Sequence, residues 1–131
     1  MAGFIPKNYK NGSVDPWVYL PAASGTYHVG EALYQSSGNL TKASGTTAPT
    51  FICMAETTVS TAGDSIPAIA VSQDTEYEVV LTAAVSGLKN GGTADISTDG
   101  MSLAAASSGG VVHVITTTGA AIGDTAVVKL A

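Results

Sequence analysis

Glycine recurs so often along this chain that the sequence argues against long helices. Fifteen of the 131 residues are glycine, and glycine interrupts every window in which an apolar helical repeat could develop. Between the glycines lie short runs of β-branched and aromatic residues at a spacing of about 8–12 residues, which is typical of sandwiches and barrels. We therefore expect an all-β fold, a small β-barrel or a compressed sandwich of about eight short strands. At most one helical turn, at 82–88, fits the apolar spacing.

The run at 76–82 shows the expected alternation most clearly. Tyr77, Val79 and Leu81 fall on one face, which predicts a core-facing side, while Glu76 and Glu78 fall on the other and predict a solvated side. The remaining runs with strand character are 27–29, 32–34, 40–42, 49–56, 66–72, 93–96, 101–103, 111–117 and 125–130.

The first 24 residues differ from the rest, so two parts are predicted: an extended N-terminal arm at 1–24 and a β domain at 25–131. The arm holds large aromatic residues and three of the five prolines, which favour extended backbone. We expect it to be separable, so that a chain lacking residues 2–20 still folds. Aromatic residues serve both cores and interfaces, so the arm is equally compatible with packing on a partner or on its own domain. The predicted interface anchors are Phe4, Ile5, Trp17 and Tyr19.

The charge balance weighs against two classes of partner. Only 11% of residues are charged, the formal net charge is −5, and there is no arginine. Nucleic-acid binding depends on cationic contacts to phosphate, and binding to anionic membranes needs basic clusters, so neither is expected. No apolar run approaches a membrane span or a signal peptide, which favours synthesis in a cytoplasm. So little charge predicts a surface covered by a partner or by copies of the chain.

No catalytic arrangement is visible in the sequence. Cys53 is the single cysteine and lies in an apolar run, where it is expected to be a small buried hydrophobic residue. His28 and His113 have no motif around them, and no Gly-x-Ser-x-Gly elbow or metal-ligand spacing occurs. The cluster Asp74, Glu76 and Glu78 predicts a solvated strand face, with a weak cation or basic-partner contact as the alternative. We therefore expect no enzyme activity, no cofactor and no metal.

Four short stretches resemble, in their order, those of small phage capsid decoration (cement) proteins. The last, Ile122 to Leu130, is similar to the closing Gly-Asp-Thr and apolar strand of that family. The first three stretches are residues 27–42, residues 66–79, and residues 85–92 together with the short strands that follow them. The likeness covers about four-fifths of the chain, counted from Tyr27 to the C-terminus, and it does not include the aromatic arm.

The resemblance implies a structural protein without substrate or cofactor. Family members are compact β domains, often trimers, that bind the major capsid protein on the outer surface of an icosahedral head after it expands. This chain would then be a homo-oligomer on the outside of the virion. The rival readings are another phage component (a head-fibre base, tail-tube or adaptor subunit) and a carbohydrate- or cell-surface-binding module with Trp17 and Tyr27 as stacking platforms. A small hydrolase requires distant residues to converge.

Overall fold

The structure, a computed structural model, describes residues 3–9 and 16–130, with the side chains of residues 8 and 9 excepted. Within these residues the predicted all-β class is confirmed: there are thirteen strands and no helix, and residues 82–88 form bends and a turn. The strands are β1 (Ile5–Tyr9), β2 (Val18–Pro21), β3 (Gly25–Tyr27), β4 (Ala32–Ser36), β5 (Asn39–Lys42), β6 (Phe51–Cys53), β7 (Thr57–Val59), β8 (Ser65–Ala70), β9 (Thr75–Val80), β10 (Thr93–Ile96), β11 (Leu103–Ala106), β12 (Val112–Thr117) and β13 (Thr125–Lys129).

The strands form two main sheets and a small ribbon. The first sheet has the order β1-β9-β13-β12-β10-β11, the second has the order β2-β8-β6-β4-β5, and β3 pairs with β7. The second sheet curls, so that a single parallel bridge joins Ala22 to Leu40 beside its two edge strands. The sheets do not close into a barrel, so the sandwich is the better of the two predicted descriptions.

The larger core lies where the two sheets share buried side chains. Tyr77, Val79 and Leu81 are all buried, as their alternation along β9 predicts. They pack in one cluster with residues of the second sheet such as Ile52 and Ile69. A smaller core lies within the curl of the second sheet and under the ribbon. Burial of these faces against each other is the main favourable term in folding an antiparallel sandwich.

The other face of β9 departs in part from the predicted solvated side. Glu78 is half-exposed, and its carboxylate forms an ion pair with Lys7 Nζ at 2.9 Å. Glu76 is nearly buried instead. Strand β1 runs along this edge of β9, where Asn8 lies opposite Glu76.

Residues 3–9 and 16–24 are extended, as expected of the arm, but they are built into the two sheets. Strand β1 pairs antiparallel with β9, and β2 pairs antiparallel with β8. Residues 10–15 lie outside the described part of the chain. The expected boundary at residue 24 therefore does not separate an arm from a packed domain, and the expectation that residues 2–20 are dispensable for folding does not fit these pairings.

The N-terminal segment is fixed by an unusually close backbone contact. Gly3 and Gly30 both have positive φ, and a Cβ atom added to Gly3 would lie 2.8 Å from the Gly30 Cα, which no real side chain tolerates. The Phe4 N–H donates to the Gly30 carbonyl at 2.7 Å, and the Gly3 N–H donates to the Met101 carbonyl at 3.0 Å. This contact directs the Phe4 ring into the larger core, where it is fully buried.

We predict that Phe4→Ala lowers the free energy of unfolding by about 3–5 kcal/mol, because it removes a fully buried ring and leaves a cavity. Urea denaturation followed by tryptophan fluorescence measures the loss. Lys7→Ala, which removes only a half-exposed ion pair on the same strand, should cost about 1 kcal/mol or less. Equal, small losses for the two variants would show that β1 is a dispensable arm after all.

Candidate interaction surface

Strand β2 presents the most prominent group of exposed apolar side chains among the described residues. The exposed fractions are 51% for Trp17, 36% for Val18 and 66% for Tyr19; we call these three residues the β2 patch. Because β2 lies at the edge of the second sheet, it pairs on one side only, with β8. The next residue, Leu20, is half-buried and packs against the smaller core, which anchors the strand.

The β2 patch carries no charge. Neither β2 nor β8 contains an acidic or basic residue. Large apolar groups on an edge strand are normally protected from solvent or used for binding, since they otherwise promote aggregation. An uncharged aromatic patch on a chain of net charge −5 is therefore a candidate contact surface for an apolar partner.

The structure divides the four predicted anchors into two unlike pairs. Trp17 and Tyr19 are exposed on the second sheet. Phe4 is enclosed in the chain's own core, so its prediction as an interface residue is wrong, and Ile5 is half-buried on β1 opposite Glu78. Of the two alternatives for the arm, packing on a partner or on its own domain, Phe4 follows the second. The sequence could not separate these pairs, because a buried and an exposed aromatic residue look alike in an extended segment.

Tyr27 is not available as a stacking platform for a sugar. It is buried in the smaller core, and its hydroxyl donates to the Ala23 carbonyl at 2.6 Å. Burial raises the pKa of the Tyr27 hydroxyl, and the nearby Glu31 carboxyl raises it further. Of the two aromatic residues predicted to stack on carbohydrate, only Trp17 faces solvent.

A second exposed apolar residue, Ile122, lies at the tip of the β12–β13 hairpin and is 70% exposed. Asp124 holds this hairpin: its carboxylate accepts the Ala121 N–H at 2.9 Å and the Thr118 hydroxyl at 3.2 Å. The Gly123 N–H also donates to the Leu81 carbonyl at 2.8 Å. The turn is therefore fixed by internal bonds and displays a single isoleucine, whereas Trp17 and Tyr19 lie two residues apart and so fall on the same side of the extended chain.

Among the described residues, Cys53, His28 and His113 are not hydrogen-bonded to one another. Cys53 is fully buried, as predicted, and its thiol donates to the Ala55 carbonyl at 3.1 Å. Burial raises the pKa of that thiol, which opposes formation of a nucleophilic thiolate. His28 contacts Glu56 through Nδ1 at 2.7 Å on the surface, and His113 is exposed on β12. In the described part of the chain, no three side chains of the metal-ligating types come together.

Two shallow grooves open on the surface. One, of about 280 Å³, lies beside Lys89, Gly92 and Ser107, and the other, of about 390 Å³, lies over the Lys7–Glu78 pair and threonines of β12 and β13. Neither is lined by a histidine or a cysteine.

Glu31 is the residue that sequence reasoning missed. Its side chain is fully buried at the start of β4. Oε1 accepts the His28 N–H at a long 3.4 Å, and Oε2 has no hydrogen-bond partner among the described residues. Burial raises the pKa of the Glu31 carboxyl. A single acid between glycine and an apolar strand gives no sequence signal for burial, because acids at strand ends are usually solvated.

Comparison with known proteins assigns no relative: no protein-family model matches the chain, and no curated protein matches it. The described residues include no helix of the length and apolarity that crossing a membrane requires. The candidate surface therefore has to be argued from its own chemistry.

We predict that Asp124→Ala lowers the free energy of unfolding by about 1–3 kcal/mol, because two donors lose a charged acceptor. Thermal and urea denaturation measure the change. Asp74→Ala, which removes an exposed acid from another turn, should change stability by less than about 0.5 kcal/mol. If the two variants were equally stable, the Asp124 bonds would not be what holds the β12–β13 turn.

Proposed function

We propose that this chain is a phage capsid decoration protein that binds the outer surface of an expanded icosahedral head through the β2 patch. The observation that carries the proposal is the uncharged, exposed stretch of Trp17, Val18 and Tyr19 where the edge strand β2 begins. Tryptophan and tyrosine are enriched at interface hot spots, where they anchor into apolar pockets of the partner. The proposed partner is the major capsid protein.

Three features support a structural role. The segment order resembles decoration proteins, the fold is all-β as that resemblance implies, and only 11% of the residues are charged. A chain with so few charges gains solubility when its apolar surface is covered. A stable β sandwich that displays a rigid apolar patch suits a protein whose work is adhesion.

The size of the β2 patch favours binding by many copies. At their exposed fractions, Trp17 and Tyr19 together offer on the order of 250 Å² for burial. At about 25 cal/mol per Å², burying that area contributes roughly 6 kcal/mol. Association costs roughly 4–15 kcal/mol in lost rigid-body freedom, so one copy alone would bind weakly. A homo-oligomer, with a trimer favoured, would supply the missing affinity through multivalency.

The proposal predicts that the double variant Trp17→Ser/Tyr19→Ser loses binding to expanded heads. Purified heads lacking this chain are mixed with the protein and sedimented, and the bound copies are counted by densitometry. We expect at least about a tenfold loss of affinity, which corresponds to roughly 1.4 kcal/mol. Circular dichroism should show an unchanged fold, since both side chains are exposed.

The matched control is Ile122→Ser, which removes an equally exposed apolar residue far along the chain. It should bind heads like the natural sequence. Normal binding by the double variant together with loss by the control would place the contact at the β12–β13 turn. No binding by any variant, including the natural sequence, would contradict the decoration role.

A carbohydrate-binding module is the second candidate, because adjacent exposed Trp17 and Tyr19 side chains are also suited to stacking on sugar rings. A glycan array separates the two proposals. A specific glycan hit that Trp17→Ser abolishes would favour this candidate, and binding to heads without any glycan hit would favour decoration.

A further inference from the structure

Four chain segments meet at the start of β4. The Gly30 carbonyl accepts the Phe4 N–H, and the Gly30 N–H donates to the Cys53 carbonyl at 2.8 Å. The Cys53 N–H donates to the Glu31 carbonyl at 3.0 Å. The N–H of Ala32, the first residue of β4, donates to the Gly100 carbonyl at 2.8 Å. These bonds join the N-terminal segment, the β3–β4 turn, β6 and the 97–102 turn into one junction.

The Glu31 side chain lies inside this junction without adequate hydrogen bonds. It has no exposed surface, one long bond to Oε1, and no partner for Oε2 within the described structure. A buried carboxylate without strong partners costs several kcal/mol relative to water. Protonation removes that cost, because it removes the charge that water would otherwise solvate.

The groups that face Glu31 do not remove the cost of burying its ionised carboxylate. Among them, Lys42 attracts the ionised carboxylate and Asp99 repels it. Lys42 and Glu31 both lie directly beneath Gly100, since a Cβ atom added there would be 3.0 Å from Lys42 Cγ and 3.2 Å from Glu31 Cγ. The titratable or charged groups around the carboxyl are Tyr27 from β3, His28 from the turn before β4, Lys42 from β5, Cys53 from β6 and Asp99 from the 97–102 turn.

We propose that Glu31 is a proton-controlled clamp on this junction: the protonated carboxyl keeps it closed, and ionisation opens it locally. Opening releases the Gly3–Phe4 segment from Gly30 and exposes Cys53, which is hydrogen-bonded to both Gly30 and Glu31. The clamp is a property of the free chain and does not depend on binding to a capsid. An experiment on the free chain can therefore disprove the clamp without affecting the proposed function, and a failure to bind heads would leave the clamp intact.

The direction of the pH effect follows from the raised pKa of the Glu31 carboxyl in the closed junction, which burial causes. An unfolded or opened glutamate titrates near about 4.3. The stability that protonated Glu31 contributes is fully present below that pH and is lost as the pH rises through the pKa of the closed state. Between the two values the opening equilibrium constant should rise by up to about tenfold per pH unit, and it should then level off.

The test uses Cys53, the single cysteine, as an internal reporter. The rate at which 4,4′-dithiodipyridine modifies Cys53 is measured on the full chain between pH 4 and pH 8. Each rate is divided by the rate for an unstructured peptide covering residues 49–57 at the same pH. This ratio resolves a change of the opening constant on the order of tenfold per pH unit. The ratio gives the opening constant free of the thiol's own titration. We expect it to rise with pH in the natural sequence.

Glu31→Gln should make the opening constant independent of pH, while Asp74→Asn, which removes an exposed acid, should retain the pH dependence. Glu31→Met, a side chain of similar volume, gives the same flat profile if the glutamine variant folds poorly. A flat profile in the natural sequence, or an equal slope in the natural and Glu31→Gln chains, would overturn the clamp.

Discussion

The close contact between Gly3 and Gly30 is the constraint on which much of the architecture depends. It brings two backbones closer than any side chain would allow, and it fixes where the chain enters the first sheet. From that point Phe4 enters the shared core and β1 runs along β9. Residues 3–9 are therefore part of the folding unit, because the core lacks the Phe4 ring without them.

The scarce charges are largely used within the domain. Asp124 organises the β12–β13 turn, and Lys7 pairs with Glu78 across β1 and β9. Residues that could have made a charged binding face therefore act as local structural supports. The β2 patch itself is neutral, and this is why the proposed function rests on apolar adhesion. The buried Glu31 is not supported in this way, and Asp95 Oδ1 likewise lacks a hydrogen-bond partner among the described residues.

The sequence predicted part of the candidate surface for a sound reason. Trp17 and Tyr19 are large aromatic residues beside prolines, in a segment too extended to enclose them locally, and both are exposed. The same reasoning gave the opposite result for Phe4, because the Gly3–Gly30 contact that turns its ring inward joins residues far apart in sequence. Tyr27 shows the same error as Phe4: it stands two residues after a glycine and beside polar residues, yet it is buried in the smaller core.

The sequence by itself determined the all-β class, most strand positions, the inward face of β9 and the burial of Cys53. These follow from glycine spacing and two-residue alternation, which act over a few neighbouring residues. Only the tertiary structure decided that Ile5–Tyr9 and Val18–Pro21 are strands of the two sheets, that Glu76 is covered, and that Glu31 lies in a junction of four segments with no partner for Oε2 among the described residues. Those outcomes depend on which distant strands pair, and local patterns carry no information about pairing across the chain.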